Sequence, residues 1–127
     1  MINRRRHREA AERARERRER ADGAPRLREV VPSVRSLRIE IEERRNGNRI
    51  AEASHVRLFV VEDAPALFLV RCSDAHCRDG EHDITGSVLA GLRQGATRFD
   101  GEDECPGYVG SAACMRVLRF SVVATYA

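Results

Sequence analysis

The sequence predicts an α+β fold: a small, mostly antiparallel sheet with one packed helix, preceded by a projecting Arg/Glu-rich N-terminal helix. Three observations support this prediction. The chain of 127 residues has room for one domain. From about residue 34, apolar and polar residues alternate as they do in half-buried strands. Residues 1–22 are highly charged and lack an apolar stripe. We therefore divide the chain into a charged helix or tail (1–22), a linker (23–33) and a folded domain (34–127).

The N-terminal segment is predicted to be helical because Arg, Glu and Ala, all strong helix formers, make up most of it. Opposite charges recur four residues apart, as in Arg15 and Glu19, and support an isolated helix. The sequence Asp22-Gly23-Ala24-Pro25 should end it. Nine Arg against four Glu and one Asp leave this segment about +4, whereas the rest of the chain is about −1. Without an apolar stripe, the helix should project into solvent or lie on a partner.

The domain begins with two predicted strands that form a hairpin. Leu37, Ile39 and Ile41 alternate with polar residues in the first strand, and the second covers about residues 55–62. Between them, Asn46-Gly47 is a strong hairpin signal. A third strand is predicted at about 66–72, after a turn at 63–65.

A short helix follows, with Asp83 or Thr85 as its predicted N-cap. Its apolar face consists of Ile84, Val88, Leu89 and Leu92. A fourth strand at about 96–100 and a long last strand at 115–126 complete the order β-β-β-α-β-β. The apolar residues of the last strand alternate from Leu118 to Tyr126.

The chemically most informative residues are four cysteines, Cys72, Cys77, Cys105 and Cys114, spaced C-x4-C and C-x8-C. In the predicted topology, all four should gather at one edge of the sheet, in two loops rich in Gly and Asp. Four thiolates from two separated pairs are typical of a structural tetrahedral Zn²⁺ site, so Zn²⁺ is the predicted cofactor. His76 and His82 are alternative ligands, since either could replace a cysteine in a Cys3His site.

Other interpretations of the cysteines stay open. They could be free thiols that behave as small apolar residues, or they could form disulfides. A catalytic zinc is disfavoured because the chain lacks H-E-x-x-H and the H-x-E and P-C-x-x-C pair of zinc deaminases. The acidic run at residues 100–104 is interpreted as a solvated turn because it lacks EF-hand spacing.

Composition excludes several classes of enzyme. All 23 basic residues are Arg, so neither a P-loop lysine nor a pyridoxal Schiff base is available. We find no catalytic constellation and expect a non-enzymatic protein. No stretch approaches the roughly 20 apolar residues of a membrane span, and the N-terminus lacks the apolar region of a secretory signal. We therefore expect a cytoplasmic protein that does not enter the membrane.

Two functional hypotheses follow from the charge distribution. In the first, the protein binds nucleic acid, either RNA or a ribonucleoprotein, through Arg side chains that contact phosphates. The candidates are Arg4, Arg5, Arg6, Arg8, Arg13, Arg15, Arg17 and Arg18 of the helix, and Arg44, Arg45 and Arg49 of the hairpin tip. The interleaved Glu residues weigh against this hypothesis because they repel phosphate. In the alternative, the protein is a protein–protein adaptor or assembly subunit that uses the charged helix and a sheet edge.

Overall fold

The structure is a computed structural model that describes residues 2–45 and 53–127, with side chains described for residues 8, 9, 11–45 and 54–127. Within these ranges the helices are α1 (Ile2–Gly23), α2 (Leu27–Val30) and α3 (Thr85–Arg93). The strands are β1 (Val34–Arg44), β2 (Ala53–Phe59), β3 (Leu69–Arg71), β4 (Glu81–Asp83), β5 (Arg98–Glu104), β6 (Tyr108–Val109), β7 (Ala112–Ala113) and β8 (Val117–Tyr126).

The main sheet has four strands in the order β2-β1-β8-β5, and every neighbouring pair is antiparallel. Ile39 of β1 lies between Arg57 of β2 and Val122 of β8. Alternate residues of β1 and β8 are buried, as their apolar pattern predicted. The mixed α+β class with a mostly antiparallel sheet is therefore confirmed.

One face of the sheet forms the hydrophobic core together with α3. Val88 and Leu92 of α3 are buried in the same cluster as Ile39, Phe120 and Val122. The N-cap of α3 is Ile84, which makes no side-chain cap hydrogen bond, so neither predicted residue is the N-cap. The Asp83 carboxylate nevertheless accepts a hydrogen bond from the Thr85 backbone N–H at the start of α3. The Thr85 hydroxyl accepts the Phe68 backbone N–H instead, so α3 is tied to the segment before β3.

Several short elements differ from the predicted order. The predicted third strand is reduced to β3, which pairs with β4 in a separate two-stranded sheet. A second small hairpin, β6–β7, lies between β5 and β8. A strand was predicted where β3 lies, but β4, β6 and β7 have only two or three residues each, too few to show the alternation by which strands are recognised. The predicted Asn46-Gly47 turn lies outside the described residues.

The segment predicted as a linker contributes to the core. Leu27 of α2 is fully buried and Val31 nearly so. The Leu27 N–H donates to the Ala64 carbonyl, and the Ala66 N–H donates to the Pro25 carbonyl. This segment therefore connects α1 to the domain and also packs into the domain core.

The position of α1 differs from the expectation of a projecting helix. From Arg13 onward it lies against the domain, because Arg13, Arg17 and Arg20 form ion pairs with Asp79 and Glu81. α1 has no apolar stripe, but Ala14 and Ala21 line a cleft together with Phe59 and Phe68. Charge pairing with Asp79 and Glu81, which are distant in sequence, adds to these contacts.

Candidate metal centre

The four cysteines converge at one end of the domain. Their sulfur atoms all lie within 4.8 Å of one another, with Cys72 Sγ 3.9 Å from Cys114 Sγ and Cys77 Sγ 3.6 Å from Cys105 Sγ. A disulfide bond would be about 2.05 Å long, so the four are free thiols. An ion bound tetrahedrally to thiolates at about 2.3 Å would hold them roughly 3.8 Å apart. The spacing of the sulfur atoms is therefore compatible with one bound metal ion.

Two loops supply the ligands in pairs. The first cysteine loop, residues 72–80, joins β3 to β4, and the second, residues 105–116, runs from β5 to β8. Backbone hydrogen bonds close each loop, from Cys72 N–H to the Gly80 carbonyl and from Cys114 N–H to the Gly107 carbonyl. Arg78 and Tyr108 exchange two backbone hydrogen bonds and join the two loops. The predicted gathering of two cysteine pairs at one edge is confirmed.

Two glycines let the backbone pass beside the sulfur atoms. A Cβ atom on Gly80 would lie 2.4 Å from Cys77 Sγ, and one on Gly107 would lie 2.5 Å from the same atom. Real Cβ atoms do not approach other heavy atoms so closely, so both positions require glycine. The Gly107 N–H also points at Cys105 Sγ, 3.4 Å away. Neither glycine was among the predicted site residues, although Gly80 follows Cys77 and Gly107 follows Cys105 within three residues.

The surroundings disfavour isolated thiolates. Burial raises the pKa of Cys72, and burial together with hydrogen bonding to neighbouring thiols raises that of Cys77 to about 12. Burial also opposes ionisation of Cys114, but hydrogen bonds from the Arg116 backbone N–H and the other thiols outweigh it and lower the pKa. A bound cation would offset the effect of burial on these thiols, because a metal-coordinated thiol is deprotonated.

Polar side chains fix the first cysteine loop from outside the cluster. Glu43, which is buried in β1, accepts the Ser73 backbone N–H at 2.8 Å. Arg116, of the second loop, contacts the Asp74 carboxylate and the Ser73 hydroxyl. Glu43 was missed by the sequence analysis, yet it continues the inward alternation of Ile39 and Ile41. An acid on the buried side of a strand was the available signal.

Neither histidine belongs to the cysteine cluster. His76 is exposed. His82 is fully buried in β4, with Nδ1 2.8 Å from an Asp103 carboxylate oxygen. Its Nε2 has no hydrogen-bond partner among the described residues. Since four cysteines complete a tetrahedral set, neither predicted substitute is needed.

The predicted arginines fall into three groups. Arg13, Arg17 and Arg44 pair with acids of the domain, namely Asp79, Glu81 and Glu102. Arg8, Arg15, Arg18 and Arg45 are exposed, and Arg15 also lies 3.9 Å from Glu19 on the same helix. The side chains of Arg4, Arg5 and Arg6, and the whole of Arg49, lie outside the described residues.

A cleft of about 520 Å³ separates α1 from the first cysteine loop. Its walls include Arg13, Arg17 and Arg20 on the helix side and Cys72 and Cys77 on the loop side. Arg20 was not among the predicted residues, but its guanidinium both pairs with and hydrogen-bonds to Glu81. The structure therefore brings the arginine-rich helix and the cysteine cluster together, a connection that the sequence did not reveal.

Across the described ranges, 2–45 and 53–127, no helix is long and apolar enough to cross a membrane.

Comparison of the chain with protein-family models, curated proteins and solved structures found no match in any of the three. What this protein can do is therefore inferred from its own residues.

Proposed function

We propose that Cys72, Cys77, Cys105 and Cys114 bind one structural Zn²⁺ and that the protein binds RNA or a ribonucleoprotein through the arginines of α1. The observation that carries the metal proposal is the spacing of the four sulfur atoms, which all lie within 4.8 Å of one another, with two pairs at 3.6 and 3.9 Å. Tetrahedral sulfur coordination suits Zn²⁺. Four protein ligands would leave no position for water or substrate, which favours a structural role over a catalytic one.

The loops explain why such a metal would be useful. The regular structure between β5 and β8 is limited to the two-residue strands β6 and β7, both exposed to solvent. Metal binding would contribute stability that these loops cannot obtain from apolar burial. A reducing cytoplasmic compartment would keep the four thiols available for the metal.

The metal proposal is tested by measuring metal content and zinc affinity of the purified full-length chain. We expect one Zn²⁺ per chain, and loss of binding in Cys105→Ser because that variant removes one of the four thiols, a buried one. Ser111→Ala, in the same loop but outside the cluster, is the control and should keep one Zn²⁺. A wild-type protein that binds no zinc under reducing conditions would contradict the proposal.

The nucleic-acid proposal is supported by the positive charge of the N-terminal segment and by the exposure of Arg8, Arg15 and Arg18. Guanidinium groups bind phosphates through paired hydrogen bonds. Each phosphate contact releases counterions, so affinity for a single-stranded RNA should fall steeply with salt.

We would measure binding to a fluorescent single-stranded RNA by anisotropy at several salt concentrations. Replacing Arg8, Arg15 and Arg18 with Gln should make the slope of log affinity against log salt shallower by about 2. The control replaces three exposed arginines of the domain: Arg28, Arg35 and Arg93. An equal effect of both triple variants would indicate general charge attraction, and no RNA binding at low salt would contradict the proposal.

An adaptor function is the second candidate, because β2 is an edge strand with an apolar outer side. Val56, Leu58 and Val60 are 48%, 77% and 65% exposed, and within the described residues β2 pairs with β1 alone. Such an edge can accept a strand from another chain. Leu58→Glu should then abolish partner binding but leave the salt-dependent binding of single-stranded RNA unchanged.

A further inference from the structure

One face of α1 contacts the first cysteine loop and the start of β4 through three ion pairs. Arg13 Nε lies 2.9 Å from an Asp79 carboxylate oxygen, and Arg17 Nη1 lies 3.8 Å from a Glu81 carboxylate oxygen. Arg20 pairs with the other oxygen of Glu81. These three arginines, the docking face of α1, are spaced four and three residues apart and therefore share one side of the helix.

Both acids owe their positions to the cysteine loop. Asp79 lies between Cys77 and Gly80 in the left-handed backbone region, with φ of 58°. Glu81 follows Gly80 directly and pairs with Arg71 across the β3–β4 hairpin. Because a metal ion would tie Cys72 and Cys77 to Cys105 and Cys114, it would also fix the backbone that presents Asp79 and Glu81 to the helix.

The ion pairs that dock α1 are weak enough for a change in the loop to break them. Asp79 is 65% exposed at its side chain, and Arg20 is 49% exposed. Partly exposed ion pairs are individually weak, since water screens them and the long side chains lose freedom on pairing. Docking therefore requires both acids to be held in place at the same time.

We propose that metal binding at the four cysteines and docking of α1 are coupled, so that loss of the metal releases the helix from the cysteine loop. This inference rests on the proposed metal site. Coupling between two binding events is reciprocal, so docking of α1 must raise the affinity for the metal by the same factor by which the metal favours docking.

The first test measures zinc affinity of the full-length protein by competition with a chromogenic chelator. Replacing Arg13, Arg17 and Arg20 with Gln should weaken zinc binding by about three- to tenfold, from the loss of three partly exposed ion pairs. The matched control replaces Arg15, Arg18 and Arg28, which removes the same charge elsewhere, and should change the affinity less than twofold. Equal weakening in both variants would overturn the coupling.

The second test keeps the cysteines intact, because a metal-free chain could simply unfold. In Asp79→Asn/Glu81→Gln the acids are neutralised, and Asn adopts positive φ readily. Trypsin should cleave the zinc-loaded double variant after Arg13, Arg17 and Arg20 several times faster than the zinc-loaded wild type. The double variant should still contain one Zn²⁺ per chain.

The zinc content of the wild type distinguishes failure of the coupling proposal from failure of the metal-site proposal. If the wild type binds one Zn²⁺ but α1 is cleaved at the same rate in wild type and double variant, the coupling is wrong and the metal site stands. If the wild type binds no zinc, both proposals are wrong.

Discussion

The sheet core and the cysteine end of this domain are held together by different physical means. In the core, Ile39, Phe120 and Val122 are almost completely buried among other apolar side chains. At the cysteine end, four thiols, two close-packed glycines and a few ion pairs replace apolar packing. A small domain with only 5% aromatic residues therefore combines a part held by apolar burial with a part in which clustered thiols take the place of apolar packing.

Among the substitutions considered, removal of a large buried side chain from the core should reduce stability most. Phe120→Ala should lower the free energy of unfolding by about 3–5 kcal/mol, because it removes a buried ring and leaves a cavity. The ring also covers Gly101, where a Cβ would lie 2.3 Å from it. Urea denaturation measures the change, with the exposed Leu58→Ala as a control that should change stability little. A loss below about 1 kcal/mol would mean that the core is not packed as described.

The next largest effect concerns the metal. At a free zinc concentration 100 times the dissociation constant, binding should stabilise the folded chain by about 2.7 kcal/mol. A strong chelator should therefore lower the thermal midpoint of the wild type. Cys77→Ser should melt at the same temperature with and without chelator. A wild type that melts identically in both conditions would contradict a structural metal.

A smaller effect is expected from the glycines of the cysteine loops. Gly107→Ala should lower stability by about 1–3 kcal/mol, because its Cβ would overlap the Arg78 carbonyl and Cys77 Sγ. Gly86→Ala in α3 is the matched control, since nothing lies within 4 Å of its Cβ. That change should be neutral or stabilise by up to about 1 kcal/mol. Thermal denaturation of the two zinc-loaded variants distinguishes them, and equal midpoints would contradict the close approach.

The smallest effect tests the link between the two regions. Glu43→Gln should cost about 1 kcal/mol, because it weakens the hydrogen bond that the buried carboxylate accepts from the Ser73 N–H. Glu42→Gln, on the exposed side of the same strand, should change stability by less than about 0.5 kcal/mol. Urea denaturation of both variants is the measurement. Identical results would mean that Glu43 does not anchor the loop.

Much of the core was predictable because its signals are local. The alternation of Leu37, Ile39 and Ile41 placed β1, and the pattern from Leu118 to Ala124 placed β8, since side chains alternate between the faces of a strand. The face of α3 followed from the helical repeat of Val88 and Leu92. The clustering of the cysteines followed from topology alone, because both loops lie at the ends of neighbouring elements.

The amino-acid sequence by itself determined the fold class, the buried faces of the long strands and the presence of a four-thiol cluster. Only the tertiary structure decided that Gly80 and Gly107 must lack side chains, that the histidines lie outside the cluster, and that α1 docks on the first cysteine loop. The physical reason is sequence distance. Arg13 and Asp79 meet across 66 positions, and a charge pair over such a separation leaves no periodic trace in either segment, whereas burial on a strand or helix repeats every few residues.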